Sequence, residues 1–145
     1  MPRVLIVDDH TFIRRGIQSI LDSSSGWEFC GEAENGIAGI RMAAELKPDV
    51  IIMDVSMPGL NGLEATRVIH EAQPEVKILL LTLHESIEIL RSGFRAGAQG
   101  YLLKSEAEHE LIHALASIVG EKTYISPKVD PNEAKGVLRE MPLSR

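Results

Sequence analysis

Polar residues whose side chains can bind a cation and a phosphoryl group follow four short apolar runs of the chain. They are an aspartate pair, a third aspartate, a threonine and a lysine: Asp8, Asp9, Asp54, Thr82 and Lys104. Three carboxylates close together repel one another unless a cation or protons compensate their charge. Mg²⁺ or Mn²⁺ suits such a site, because a hard cation takes oxygen ligands and also bridges to phosphate oxygens. A lysine and a hydroxyl do not belong to a plain cation cage, so the set predicts an aspartate that accepts a phosphoryl group.

The apolar runs predict the strands that must position these side chains. Short continuous apolar runs separated by helical stretches are typical of buried strands in a parallel sheet. The predicted strands are 4–8, 28–33, 50–54, 77–82 and 100–103. Five βα units predict an α/β fold, a flavodoxin-like three-layer sandwich with strand order 2-1-3-4-5. Since ligands of open parallel sheets bind at the carboxyl ends of the strands, we expect the polar residues to converge on one edge.

Helical patterns fill the intervals between the strands, and the pattern changes near the end of the chain. The first helix is expected to follow Thr11 as its cap, and the others are expected at 37–46, 63–72, 85–96 and 106–119. From Gly120 onward, prolines interrupt the pattern, although Ala134 to Met141 favours a short helix. Residues 1–120 are therefore predicted to form one domain, and 121–145 a linker or a truncated extension rather than a second domain.

Composition narrows the class of protein. The chain has 145 residues and a formal charge of −6, without a run of basic residues, so it is a poor candidate for holding nucleic acid by itself. Cys30 is the only cysteine, which rules out an internal disulfide and fits a reducing compartment. No apolar stretch is long enough to span a bilayer and no signal peptide is evident, so we expect no membrane association and a cytoplasmic location.

The polar residues and their neighbours resemble the receiver domain of two-component response regulators over about residues 2–120. Four motifs carry the resemblance: Val-Asp-Asp-His at 7–10, Met-Asp-Val-Ser-Met-Pro-Gly-Leu-Asn-Gly at 53–62, Leu-Thr at 81–82, and Gly-Tyr-Leu-Leu-Lys at 100–104. The resemblance implies that Asp54 is the phosphoacceptor and that a sensor histidine kinase supplies the phosphoryl group. Only self-catalysed phosphorylation and dephosphorylation are expected, without enzymatic turnover of another substrate.

The same resemblance assigns roles to the other residues of the site. Asp8 and Asp9 would bind the metal together with Asp54, and Ser56 would add its backbone carbonyl. Lys104 would pair with the phosphoryl group. Two residues would act as the switch. Thr82 would turn its hydroxyl toward the phosphoryl group, and Tyr101, a strand aromatic expected to be half-buried, would fill the vacated space.

Two stretches resemble the NarL/FixJ, or LuxR-type, subfamily: Gly100 to Ser105 and Lys122 to Pro127. In that subfamily a linker joins the receiver to a helix-turn-helix DNA-binding domain. Residues 142–145 of this chain resemble the first residues of that domain. The resemblance therefore implies a transcription regulator truncated before that domain, which would reach DNA only through the missing part. It also implies a homodimer on phosphorylation, through either the helix 4, strand 5 and helix 5 face or helices 1 and 5.

Ser105 stands where many receivers have proline. A cis bond costs about 2.5–4 kcal/mol when no proline follows, so we predict a trans bond between residues 104 and 105. A second pattern, from His109 to His113, matches the H-E-x-x-H sequence of zinc proteases. The apolar residues of that helix lie on its opposite side, so both imidazoles should face solvent, and no zinc site is predicted.

Two other functions share parts of the pattern. An aspartate-nucleophile phosphatase uses the same aspartate, magnesium and lysine chemistry. That class places a second aspartate two residues after the nucleophile, where this chain has Ser56. The third interpretation is an interaction module with a receiver fold that works without phosphorylation; the complete set of five polar residues argues against it.

Overall fold

A computed structural model of the chain describes residues 1–141. Its central layer is a parallel sheet with the strand order β2-β1-β3-β4-β5-β6. The strands are β1 (Arg3–Val7), β2 (Glu28–Ala33), β3 (Val50–Asp54), β4 (Lys77–Thr82), β5 (Gly100–Leu103) and β6 (Tyr124–Ile125). The predicted flavodoxin-like order 2-1-3-4-5 is confirmed, and β6 extends the sheet beyond β5.

Helices cover both faces of this sheet. They are α1 (Thr11–Asp22), α2 (Gly36–Leu46), α3 (Gly62–Ala72), α4 (Ile87–Ala96), α5 (Ala107–Val119) and α6 (Pro131–Glu140). Successive residues of a strand point to opposite faces, so Leu5 and Val7 pack into the core beneath α2, α3 and α4. Val4 and Ile6 pack into the second core, beneath α1 and α5. Each helix within residues 1–141 is too short or too polar to cross a membrane.

The segment after α5 returns to the domain. β6 pairs with β5 in parallel, with Tyr124 opposite Gly100. Helix α6 begins at Pro131 rather than Ala134, because Asp130 caps it by accepting a hydrogen bond from the backbone N of Asn132 at 3.1 Å. Strand β6 was not among the predicted strands, since a two-residue strand has no periodicity to detect. The division of the chain at residue 120 remains a prediction, and residues 142–145 lie outside the described residues.

The start of α1 also differs from the prediction. Thr11 is the first helical residue, and the N-cap position belongs to His10. Within residues 1–141 the His10 side chain makes no capping hydrogen bond. Its imidazole lies instead beside two carboxylates, with Nδ1 3.1 Å from Asp9 Oδ1 and 3.3 Å from Asp8 Oδ1. The His10 imidazole therefore faces the aspartate pair and does not cap the first turn of α1.

Candidate functional site

Four neighbouring strands bring the predicted polar residues to one edge of the sheet. Asp8 follows β1, Asp54 ends β3, Thr82 ends β4 and Lys104 follows β5. Because β1 and β3 pair directly, Asp8 and Asp54 lie side by side, and each is only 1% exposed. The Lys104 Nζ atom lies 3.3 Å from Asp8 Oδ2 and 3.1 Å from Asp54 Oδ1. The expected convergence is confirmed, with one ammonium between two buried carboxylates.

The arrangement has more negative than positive charge. Asp8, Asp9, His10 and Asp54 each present one potential ligand atom, and these atoms lie within 4.8 Å of one another. Asp54 Oδ2 is buried and has no hydrogen-bond partner among residues 1–141. A buried carboxylate oxygen without a donor is costly unless something else binds it. An oxygen-rich donor set of this kind suits a hard divalent cation, so the residues fit a metal site.

Burial and charge change the acidity of the central aspartate. Burial raises the pKa of the Asp54 carboxyl from an ordinary 3.8 to about 6, and the negative charge of Asp8 adds to this rise. Lys104 and the backbone N of Ser56, which donates to Asp54 Oδ1 at 3.2 Å, act in the opposite direction. The folded protein therefore favours the neutral acid more than the unfolded chain does when no cation is bound.

A substitution at Asp54 should make it possible to measure how much the ionised carboxylate destabilises the folded protein. A raised pKa means that the folded state binds more protons than the unfolded state between about pH 4 and pH 6, so stability falls as pH rises through that interval. Asp54→Asn removes this loss while keeping an oxygen for Ser56 and Lys104. In EDTA near neutral pH, we expect the variant to exceed the parent in free energy of unfolding by on the order of 2–3 kcal/mol.

Urea unfolding, followed by the fluorescence of the single tryptophan, Trp27, checks this prediction across the pH range. The gain should shrink as pH falls from about 6 and disappear below about pH 4, where both states of the parent are mainly protonated. Asp22→Asn, at an exposed aspartate that ends α1, is the matched control. Equal stability of Asp54→Asn and the parent at every pH would show that the ionised carboxyl does not destabilise the folded protein.

The two predicted switch residues contact one loop, residues 83–86, between β4 and α4. Thr82 is 4% exposed, and its Oγ1 donates to the carbonyl oxygen of His84 at 3.3 Å. The Tyr101 hydroxyl accepts a hydrogen bond from the backbone N of Ser86 at 2.9 Å. Tyr101 is fully buried rather than half-buried, which raises the pKa of its hydroxyl. The buried core that contains Tyr101 also contains Val137 of α6, which lies beyond the predicted domain boundary.

Two residues that sequence reasoning missed hold the site in place. Arg14 donates from Nη1 to the backbone carbonyl of Asp8 and from Nε to Glu32, both at 2.6 Å. Gly62 begins α3 and packs against the end of β3: its backbone N donates to the carbonyl of Val55 at 3.0 Å. A Cβ at Gly62 would lie only 2.0 Å from the backbone oxygen of Asp54. The signal for Gly62 was present, since Asn61-Gly62 directly precedes the third predicted helix.

The remaining predictions near the site concern Lys104 and the histidine pair. Residues 1–141 contain no cis peptide bond, so the trans bond between Lys104 and Ser105 is confirmed. His109 and His113 are both exposed on α5, as predicted. Within the described part of the chain, the metal-ligand cluster at Asp8 is the one group of three or more candidate ligands, and it does not include this pair.

Comparison with known proteins places these features in a family. The sequence pattern of the response regulator receiver domain matches residues 4–116. Response regulator GacA of Pseudomonas aeruginosa is 40% identical over 129 residues, which cover 89% of this chain and 60% of that protein. Response regulator UvrY of Escherichia coli is also 40% identical over 129 residues, covering 89% of this chain and 59% of that protein. The chain thus spans about three fifths of the length of these relatives.

A solved structure agrees with the sequence matches. The two-component response regulator of the LuxR family from Aurantimonas sp. superposes with a TM-score of 0.84 at 31% identity, and the match covers 97% of each chain. The similarity extends beyond the five βα units into α6, because the share of this chain that is left out is smaller than that helix.

Proposed function

Because the chain belongs to the response regulator receiver domains, of the NarL/FixJ type, we propose that it is a signalling switch that accepts a phosphoryl group on Asp54. The observation that carries the proposal is the state of that side chain. Asp54 is buried at the carboxyl edge of the sheet, its Oδ2 has no partner among residues 1–141, and Lys104 Nζ lies 3.1 Å from its Oδ1. A nucleophile needs one free oxygen and a nearby positive charge for the incoming group.

The proposed donor is the phosphohistidine of a sensor histidine kinase. The P–N bond of the donor breaks as Asp54 Oδ2 forms the new P–O bond, and a water molecule later hydrolyses the acyl phosphate. Lys104 pairs with one phosphoryl oxygen, and the Thr82 hydroxyl donates to another. Mg²⁺ or Mn²⁺, held by Asp8, Asp9, Asp54 and the carbonyl of Ser56, would neutralise charge on the phosphoryl oxygens. Both steps are self-catalysed, and the proposed location is the cytoplasm.

The output proposed for this switch lies beyond the described residues. In the longer protein, the linker would lead to a helix-turn-helix domain that binds DNA. Phosphorylation would favour a homodimer, and the groove between α1 and α5 is the better supported surface. That groove has a volume of about 420 Å³, Ile13 and Ile17 line it, and Phe12 at its rim is 86% exposed. On the other face, α6 already contacts α4 through Glu140.

Intact-mass measurement tests the proposal directly. The protein is incubated with Mg²⁺ and acetyl phosphate, in parallel with an Asp54→Ala variant. We expect the parent to gain the mass of one phosphoryl group, to lose this gain when EDTA is present, and the variant to gain nothing. No gain by the parent would contradict the proposal and favour the phosphorylation-independent module. Steady hydrolysis of a small phosphate ester would instead favour the phosphatase.

A further inference from the structure

The C-terminal helix packs on the same core as the switch tyrosine. Val137 of α6 is fully buried, and it belongs to the core cluster that contains Leu90, Phe94 and Tyr101. Glu140 Oε1 accepts hydrogen bonds from Arg91 Nε at 2.9 Å and from Arg95 Nη2 at 3.3 Å. The face of α4 is therefore occupied by a segment of the same chain.

Helix α6 is held by one fully buried side chain, Val137, and by partly buried Ala134. Val137 is the one fully buried residue of the ten in the helix, and its neighbour Leu138 is 37% exposed. The ion pairs of Glu140 are partly exposed, and such pairs contribute little to stability. A helix of this length is marginal in water without tertiary contacts. Its docking therefore depends on the small apolar contact that Val137 makes with the core.

The segment before α6 is joined to the strand that carries the switch tyrosine. The Ser126 backbone N donates to the carbonyl of Tyr101 at 2.9 Å, and the Ser126 hydroxyl accepts from the backbone N of Leu103, also at 2.9 Å. Ser126 is 1% exposed, so these bonds are shielded from water. A displacement of the β5 backbone would therefore reach the segment that leads into α6.

The core that contains Val137 is also connected to the phosphorylation site through the loop at 83–86. In the present arrangement Thr82 Oγ1 is bonded to His84, and the Tyr101 hydroxyl is bonded to Ser86. A phosphoryl group on Asp54 would compete for the Thr82 hydroxyl and so loosen this loop. Because packed cores change between discrete arrangements, a shift of Tyr101 would disturb the packing around Val137.

We propose that the α4 face is a docking surface for the chain's own helix α6, which is docked without phosphate and released when Asp54 is phosphorylated. This inference rests on the proposed function and adds the route by which the site controls the part of the protein beyond the receiver. Linkage requires the reverse effect as well: undocking α6 must strengthen the binding of a phosphoryl group or its mimic.

Hydrogen exchange of the α6 amides, read by mass spectrometry on the whole chain, tests the docking. With acetyl phosphate and Mg²⁺, we expect exchange at 134–140 to accelerate by about tenfold or more, in the same sample whose intact mass shows one phosphoryl group. A phosphoryl gain with unchanged exchange would overturn this inference and leave the proposed function standing. No phosphoryl gain would overturn both.

A pair of adjacent substitutions tests the coupling without phosphate. Val137→Ser places a hydroxyl in the apolar core, whereas Leu138→Ser makes a similar change on the exposed side of the same helix. Val137→Ser should exchange rapidly at 134–140 and should bind beryllium fluoride, a phosphoryl mimic, about threefold or more tightly in Mg²⁺. Leu138→Ser should match the parent in both measurements. Rapid exchange in Val137→Ser with unchanged affinity for beryllium fluoride would show that docking and the site are uncoupled, which overturns the inference.

Discussion

Replacing Lys104 with methionine is expected to slow the phosphorylation of Asp54 by about 100- to 1,000-fold, the loss typical when one group facing a developing anion is removed. The Lys104 Nζ atom lies between Asp54 and Asp8, and its side chain is 8% exposed. Methionine has a similar length and fills the space, but it cannot donate to a phosphoryl oxygen. The measurement is the rate of mass gain with acetyl phosphate in Mg²⁺.

The same substitution should change the dependence of that rate on pH. Without a bound cation, burial and Asp8 raise the pKa of Asp54 to about 6 even with Lys104 present, and Lys104 is a group that lowers it. Without the ammonium the pKa rises further, so less of the carboxylate nucleophile is present near neutral pH. The remaining activity of Lys104→Met should therefore increase with pH beyond the point where the rate of the parent levels off.

The control for this prediction is a lysine at the opposite edge of the same sheet. Lys77 begins β4, and its Nζ lies 2.9 Å from Glu121 Oε1, so Lys77→Met makes the same chemical change far from the site. We expect it to be phosphorylated at the rate of the parent. If Lys104→Met retained a rate within about threefold of the parent while remaining folded, pairing of Lys104 with the phosphoryl group would be wrong.

The main features of the site were predictable because they depend on local sequence and one rule of topology. The apolar runs gave β2, β3, β4 and β5 with their observed bounds, and β1 within one residue at each end. Each polar residue directly follows or ends its strand, so the convergence needed only the parallel arrangement. No long-range contact had to be known for Asp54 and Lys104 to meet.

The features that escaped prediction depend on contacts between distant parts of the chain. β6 has two residues, and its position is set by backbone pairing with β5 and by the Ser126 hydroxyl, neither of which leaves a periodic pattern. Tyr101 is fully buried in a core that also contains Val129 and Val137, more than 25 residues later in the chain. Such packing is decided by the tertiary structure and not by the propensity of any segment.

Gly62 occupies a position that leaves no room for a side chain, and Gly62→Ala is therefore expected to be strongly destabilising. The added Cβ would lie 2.0 Å from the backbone oxygen of Asp54 and 2.9 Å from the Cα of Val55. Both obstacles are backbone atoms, so no side-chain rotation relieves the clash. Either the phosphoacceptor strand or the start of α3 must move, at a cost of about 3 kcal/mol or more in free energy of unfolding.

Gly16 provides the matched control for this substitution. It lies inside α1, and a Cβ there would meet no atom of the described residues within 4 Å. Because alanine is the better helix former, Gly16→Ala should stabilise the protein by about 0.5–1 kcal/mol. Urea unfolding followed by circular dichroism measures both changes. We expect the change in free energy of unfolding to have opposite signs at the two positions. Alanine is better than glycine in a helix where there is room for its Cβ, and worse where other atoms already occupy that space. A Gly62→Ala variant as stable as the parent would mean that β3 and α3 do not meet this closely.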